Sequence, residues 1–295
     1  MIRASPAWKG LWAVVVVLMA TTAAQAQWIV RSVAADNPAG IVLTRDLYRT
    51  DLGGGTTPGA NGLFFDGVNA RREINWDGAP ATVSAPNFMP ANFFNVNSPR
   101  GNVYSTPGTG FMLSGAATDG GAGQPAAANF GNIDASYTLT FLQFSPQRLF
   151  TPIGSNVMDV HFFVPGTSIP AVTRGFGVVF SDVDQPNLTG FELFDENNNS
   201  LGSFFAPEHQ QVNGLSFLGV STIDGSSVIH RARIFLGNTA LGPGVLDGVG
   251  GNDLVVMDDF IYGEPVAIPE PATLSLLGAA VLAGALGYQR RRQRR

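Results

Sequence analysis

Two pairs of aspartates are the residues in this chain best suited to chemistry. Asp182 and Asp184 stand two apart in Ser181-Asp182-Val183-Asp184, and Asp258 and Asp259 are adjacent in Met257-Asp258-Asp259-Phe260. The i, i+2 spacing places Asp182 and Asp184 on one face of a strand end, or together in the turn that follows it. Two carboxylates this close are costly unless a cation or a proton neutralises one of them. Charges inside an apolar run, as at Asp258 and Asp259, are costly when unpaired. Calcium takes about six to eight oxygen ligands and suits loops of this kind. The expectation is a structural calcium held by some of Asp182, Asp184, Asp258 and Asp259. The alternative is that they are solvated strand-end charges, or partners of Arg174, Arg231 or Arg233.

Other chemistries find less support. A glycoside hydrolase needs two carboxylates roughly 5–10 Å apart across a cleft. Glu73 with Asp77, or Glu192 with Asp195, could fill that role, but acidic residues are common enough for such pairs to arise by chance. No G-x-S-x-G elbow is present, and the glycine-rich stretches match no phosphate loop. There is no cysteine, which removes disulfides, zinc-thiolate sites and cysteine nucleophiles. His161, His209 and His230 are scattered and in no metal-ligand spacing. Trp28, Trp76, Tyr104 and Tyr137 are the aromatics available as sugar-stacking platforms, Trp76 reading better as core. The expectation is no catalytic residue and no enzymatic activity, with a polysaccharide-acting hydrolase as the alternative.

The elements that must position these residues read as strands. Segments 137–144, 157–164, 175–181, 190–194, 203–206, 215–220, 228–236 and 254–262 are rich in Val, Ile and Phe and are separated by Gly, Pro, Asn and Asp turns. Met158, Val160, Phe162 and Val164 share a face opposite Asp159 and His161. Val228, Ala232, Ile234 and Leu236 share another, opposite Arg231 and Arg233. Ile74 and Trp76 alternate with Glu73, Asn75 and Asp77, and Asp77-Gly78 reads as a turn. Ile41-Val42-Leu43 reads as a first strand within an irregular start. Residues 79–131 are loop-like, with apolar islands at Phe93-Phe94 and Phe111-Met112-Leu113, and 118–128 is a low-complexity loop. No segment of ten or more residues shows a helical period between the two ends of the chain. The pattern predicts an all-β fold, an antiparallel β-sandwich or jelly-roll-like domain over 27–267 with an irregular N-terminal third.

Both ends fall outside that domain. Arg3 and Lys9 precede an apolar run over 11–20, and Ala24-Gln25-Ala26 supplies the small residues that a signal peptidase reads. Ten apolar residues are too few to span a bilayer, so 1–26 reads as a secretory signal peptide cut between Ala26 and Gln27. At the other end, Pro269-Glu270-Pro271 is followed by an uncharged run over 272–288 and by Arg290, Arg291, Arg292, Gln293, Arg294 and Arg295. As a helix the run reaches roughly 25 Å, the short end of what crosses a bilayer core. The arginines favour the cytoplasmic side and place the bulk of the chain outside.

The order Pro-Glu-Pro, apolar helix, arginine cluster resembles the PEP-CTERM sorting signal of Gram-negative bacteria, over about a tenth of the chain. That resemblance implies a precursor held once in the inner membrane and recognised by exosortase at Pro269, Glu270 and Pro271. It also implies transfer of the product to the cell surface or extracellular matrix. A permanent C-terminal anchor is the alternative that physics leaves open. The middle is similar to a group of exported bacterial β-rich proteins that often carry such a tail. The likeness lies in Arg71-Arg72-Glu73-Ile74-Asn75-Trp76-Asp77-Gly78, in 175–184 and in Met257-Asp258-Asp259-Phe260, and it implies a coherent domain without assigning catalytic residues.

The whole chain holds 17 basic and 22 acidic residues. Setting aside Arg3, Lys9, the five tail arginines and Glu270 leaves 10 basic and 21 acidic residues in the middle, a formal charge of −11. That surface argues against nucleic acid and suits divalent cations or neutral sugars, and the expectation for the middle is a structural, adhesive or carbohydrate-binding module, extracellular polysaccharide being one partner it would suit.

Overall fold

A computed structural model describes residues 27–54, 61–62, 70–116 and 125–268. The expected signal peptide, the apolar run over 272–288 and the basic tail lie outside the described residues, as does most of the loop at 118–128. Among the described residues no helix is long and apolar enough to cross a membrane.

Two antiparallel sheets face each other, as the strand pattern predicts. With strands numbered in chain order, the larger sheet runs β1 (Trp28–Ala35), β11 (Leu215–Thr222), β8 (Gly175–Ser181), β13 (Val256–Gly263), β5 (Phe150–Ile153) and β4 (Gly110–Leu113). β2 (Arg71–Ile74) also pairs with β13. The smaller sheet runs β10 (Ser200–Phe205), β9 (Gly190–Phe194), β12 (Arg231–Phe235), β6 (Val157–Phe162) and β3 (Asn102–Ser105). A two-residue ribbon joins β14 (Val266–Ala267) to β7 (Ala171–Val172). Phe176, Val178, Phe180, Leu218, Val220 and Phe260 of the larger sheet meet Met158, Val160, Phe162, Phe191, Leu193 and Ile234 of the smaller one in a single buried core.

The sheets differ in what covers their outer faces, and the sequence pattern follows that difference. β6 alternates buried and half-buried residues because its outer face meets water. β8, β11 and β13 are buried along their whole length, because a third layer lies over the larger sheet. Part of that layer is α1 (Pro38–Asp51), whose Ile41 and Tyr48, with the following Leu52, pack on Val179, Leu215, Phe217 and Ile261. The rest comes from Phe130, Tyr137, Phe141 and Leu241, which close over Met112, Leu149 and Val256.

This layer corrects three expectations. Ile41-Val42-Leu43 is helix, not a first strand, and a helical segment of 14 residues does exist between the two ends. Asn37 caps it, its side chain accepting from the Gly40 amide at 3.3 Å, and Pro38 opens it. Leu43 and Leu47 lie on its exposed side, which blurs the helical period in the sequence. The first strand is instead β1, an edge strand in what reads as an irregular start. Segment 137–144 is no strand either: α3 (Tyr137–Thr140) is a single turn that places Tyr137 and Phe141, four apart, side by side in the outer layer. The loop-like third also carries α2 (Phe93–Val96), β3 and β4. Successive strands β3 and β4 belong to different sheets, so the chain crosses the sandwich between them.

Candidate functional site

β8 delivers Asp182 and Asp184 to one end of the sandwich. The chain leaves the strand at Asp182 with φ 71°, in the left-handed region, while its amide still donates to the Gly214 carbonyl at 2.8 Å. Val183 then plugs into the core, fully buried, so the aspartates on either side of it are held by packing. Opposite lies the loop between β12 and β13. There Gly248, Gly250 and Gly251, at φ 69°, 69° and 84°, turn the chain through conformations that suit glycine. That loop brings Asp247 and Asp253 to the same place. Asp253 Oδ1 accepts from the Asp184 amide at 3.1 Å, and Asp247 Oδ1 accepts from the Leu254 amide at 2.9 Å.

The result is an acidic cluster. One carboxylate oxygen from each of Asp182, Asp184 and Asp247 lies within 4.8 Å of the others. Asp182 is 1% exposed and Asp253 0%. Both carboxylate oxygens of Asp182, one of Asp184 and Oδ2 of Asp253 are buried without a hydrogen-bond partner. Among the described residues none of the four pairs with an arginine. Burial, then the charges of Asp247 and Asp184, pushes Asp182 up to about 8. Burial, then Asp247, pushes Asp184 up to about 6. Asp253 is pushed up to about 6 by burial against the opposing pull of the Asp184 amide. Asp182, Asp184 and Asp247 each offer a carboxylate oxygen to the cluster, a donor set that suits a hard divalent cation.

The other two aspartates of the sequence expectation are not in this cluster. Asp258 and Asp259 occupy a bulge, where the pairing of β13 with β8 slips between Met257 and Phe260. Asp258 accepts from the amides of Phe144 and Ser145 at 2.7 and 3.2 Å, and the Ser145 hydroxyl donates to both Asp258 and Asp259 at 3.0 and 2.8 Å. Burial, then the neighbouring Asp259, holds Asp258 well above the usual carboxylate range. The expected partnerships with Arg174, Arg231 or Arg233 do not form at any of the four predicted aspartates. Arg231 and Arg233 hold Asp159 instead. Asp247 and Asp253 are the residues that sequence reasoning missed. Their signal was Asp247-Gly248-Val249-Gly250-Gly251-Asn252-Asp253, a run of turn glycines closed at each end by a carboxylate.

The carboxylates considered for hydrolysis are all engaged in structure. Glu73 accepts from Arg49 and Arg71 at 2.5 and 2.7 Å. Asp77 accepts from the Gln147 and Arg148 amides. Glu192 accepts from the Ser200 hydroxyl, and Asp195 caps the turn at Asn197 and Asn199. The histidines are also placed: His161 against Ser105, His209 against Asp36, and His230 against the Ala171 carbonyl. Trp76, Tyr104 and Tyr137 are buried, which overturns them as stacking platforms. Trp76 stacks on Phe150 at 4.3 Å and donates from Nε1 to the Asp258 carbonyl, which makes it a centre of the core. Trp28 is half-buried edge-on against Phe204. A separate cleft of about 510 Å³ opens beside Trp76, where Asn75 and Asn97 are exposed and Ser98 and Arg100 contribute to the lining.

The described chain ends beside the ribbon. Ile268 donates its amide to the Pro170 carbonyl at 3.2 Å, directly after β14. The Pro269, Glu270 and Pro271 of the expected processing motif lie outside the described residues, as do Ala24 and Ala26 of the expected peptidase site. Gln27 stands just before β1. No curated protein and no solved structure matches the chain. Residues 267–293 match the PEP-CTERM protein-sorting motif, a signal that implies an exported protein sorted by exosortase.

Proposed function

We propose that the β-sandwich is a structural or adhesive module of the cell surface or extracellular matrix of a Gram-negative bacterium, with neutral polysaccharide as its ligand class and no catalytic role. The observation that carries this reading is how near the fold comes to the tail: β14 ends at Ala267, and Ile268, next to the Pro-Glu-Pro motif, still donates its amide to the Pro170 carbonyl. The folded module itself is therefore the cargo of sorting. Two further features support the ligand class. The middle carries an acidic balance, which disfavours polyanions. The cleft beside Trp76 presents amides at Asn75 and Asn97 rather than a charged cluster, and amides pair well with sugar hydroxyls. The two carboxylate pairs considered for hydrolysis, Glu73 with Asp77 and Glu192 with Asp195, are engaged in ion pairs or backbone and hydroxyl hydrogen bonds, which supports the non-catalytic side of the reading.

Two measurements test this. The intact mass of the protein recovered from its host, from membrane and from medium, is expected to begin at Gln27 and end near Pro269–Pro271. A mass running through Arg295 in the membrane would mean a permanent anchor and would remove the sorting step. In a pull-down with extracellular polysaccharide, the protein is expected to retain polymer without releasing reducing ends. Replacing Asn75 and Asn97 together by Ala is expected to weaken retention about tenfold, the effect of one or two lost hydrogen bonds. Release of reducing ends would establish a hydrolase instead.

A further inference from the structure

We propose that Asp182, Asp184 and Asp247, with Asp253 holding the Asp184 backbone in place, form a calcium site that clamps the exit of β8 to the loop between β12 and β13. The argument starts from unmet hydrogen-bonding capacity. A carboxylate that is 1% exposed and has neither oxygen partnered, as at Asp182, is a state that folded proteins rarely tolerate. Here one carboxylate oxygen each of Asp182, Asp184 and Asp247 converge within 4.8 Å of one another, and Asp253, which holds the Asp184 amide through Oδ1, leaves its Oδ2 buried and unpartnered. A cation satisfies the three converging carboxylates at once.

The donor set selects the ion. All three converging side chains offer carboxylate oxygen, with no thiolate in the chain and no imidazole in the group, which disfavours zinc and copper. Calcium–oxygen bonds of about 2.4 Å let ligand oxygens stand up to about 4.8 Å apart across the ion, and the oxygens of Asp182, Asp184 and Asp247 lie within that reach of one another. Magnesium draws its ligands closer and keeps most of its water, which suits a buried pocket of fixed side chains less well. The loops are also of the right kind. The glycines at 248, 250 and 251 let the backbone fold tightly, and the two sides are tied by Asp184 to Asp253 and by Gln185 to Gly251.

If the chain is exported as proposed above, it meets calcium only after leaving the cytoplasm, and the clamp closes outside. The experiment separates the two ideas, because calcium binding is read on purified protein whatever its destination. The protein purified with its tail in detergent is stripped with EDTA and titrated calorimetrically with calcium chloride, then with magnesium chloride, and its thermal unfolding is followed in each. One equivalent of calcium is expected to bind, with a dissociation constant on the order of 10⁻⁴ M or tighter. The melting temperature should rise by roughly 5–10 °C at calcium a hundredfold above that constant. Asp182→Asn should melt no lower than the native sequence in EDTA, since burial already disfavours a charged carboxylate at that position, yet lose the rise with calcium. Asp247→Asn should lose most of the rise, while the exposed Asp46→Asn keeps it. No heat and no shift in millimolar calcium would overturn the proposal, as would a full calcium response in Asp182→Asn or an equal response to magnesium.

Discussion

Asp159 shows how a single residue orders one face of the smaller sheet. It accepts from Arg231 at 2.8 Å and from both Nε and Nη2 of Arg233 at 2.9 Å. Arg231 in turn lies over the Phe194 ring, 3.7 Å from its centre, and reaches Asn198. Burial would raise this carboxyl, but the hydrogen bonds from Arg233 and Arg231 outweigh it and hold it below the usual range. A carboxylate whose pKa is depressed by folding adds stability above its unfolded value, near 4, and loses it as pH falls through the folded value. Asp159→Asn is therefore expected to cost about 1–2 kcal/mol at pH 7, allowing for partial exposure. The gap to the native sequence should close on acidification below pH ~4, as followed by urea unfolding at stepped pH; a gap that stays constant to pH ~2 would refute it. At this scale the candidate site was half legible. Asp182 and Asp184 announce themselves because they are neighbours in sequence. Asp247 and Asp253 arrive from more than sixty residues away, and only the topology puts them there. Asp258 and Asp259 carry an equal signal in sequence, but a bulge turns them toward Ser145.

Among the elements, α1 is seated by a strip of glycines. A Cβ at Gly219 would stand 2.7 Å from the Tyr48 ring, and one at Gly177 likewise 2.7 Å. A Cβ at Gly175 would meet Leu52 at 2.6 Å. Tyr48 fills this groove, fully buried, with its hydroxyl donating to the Val220 carbonyl at 3.2 Å. Gly219→Ala is expected to cost about 1–3 kcal/mol by overpacking, a fall of roughly 3–10 °C in melting temperature for a domain of this size. Combined with Tyr48→Ala, it should cost much less than the sum of the two changes, because the clash partner is gone. Additive losses would show that the glycines serve something other than the helix. Strand legibility follows the same covering layer. β8 and β9 are read from sequence with their observed bounds, and β6 through its alternation against water. α1 and α3 hide because their apolar residues alternate or spill onto exposed positions, and only the sheet beneath says which of them are buried.

For the whole molecule, the three-layer arrangement decides how the tail is joined to the rest. The sorting motif and the general β-sandwich were both readable, the first from a local motif and the second from repeated strand composition. The helix-bearing outer layer was not, since it depends on contacts between distant segments. The short ribbon of β14 on β7 then acquires a mechanical meaning. Any load carried by the tail, whether through a membrane helix or through a polymer joined after processing, arrives first at Ile268 and next at two antiparallel pairings. Behind them stands β13, flanked by β8 on one side and by β5 and β2 in succession on the other. The ribbon is the part that yields, opening a few residues of slack, whereas β13 resists because its many pairings must shear together. A chain built this way carries its weakest pairing outside its core, and a pull on the tail is expected to open that ribbon before it reaches the fold.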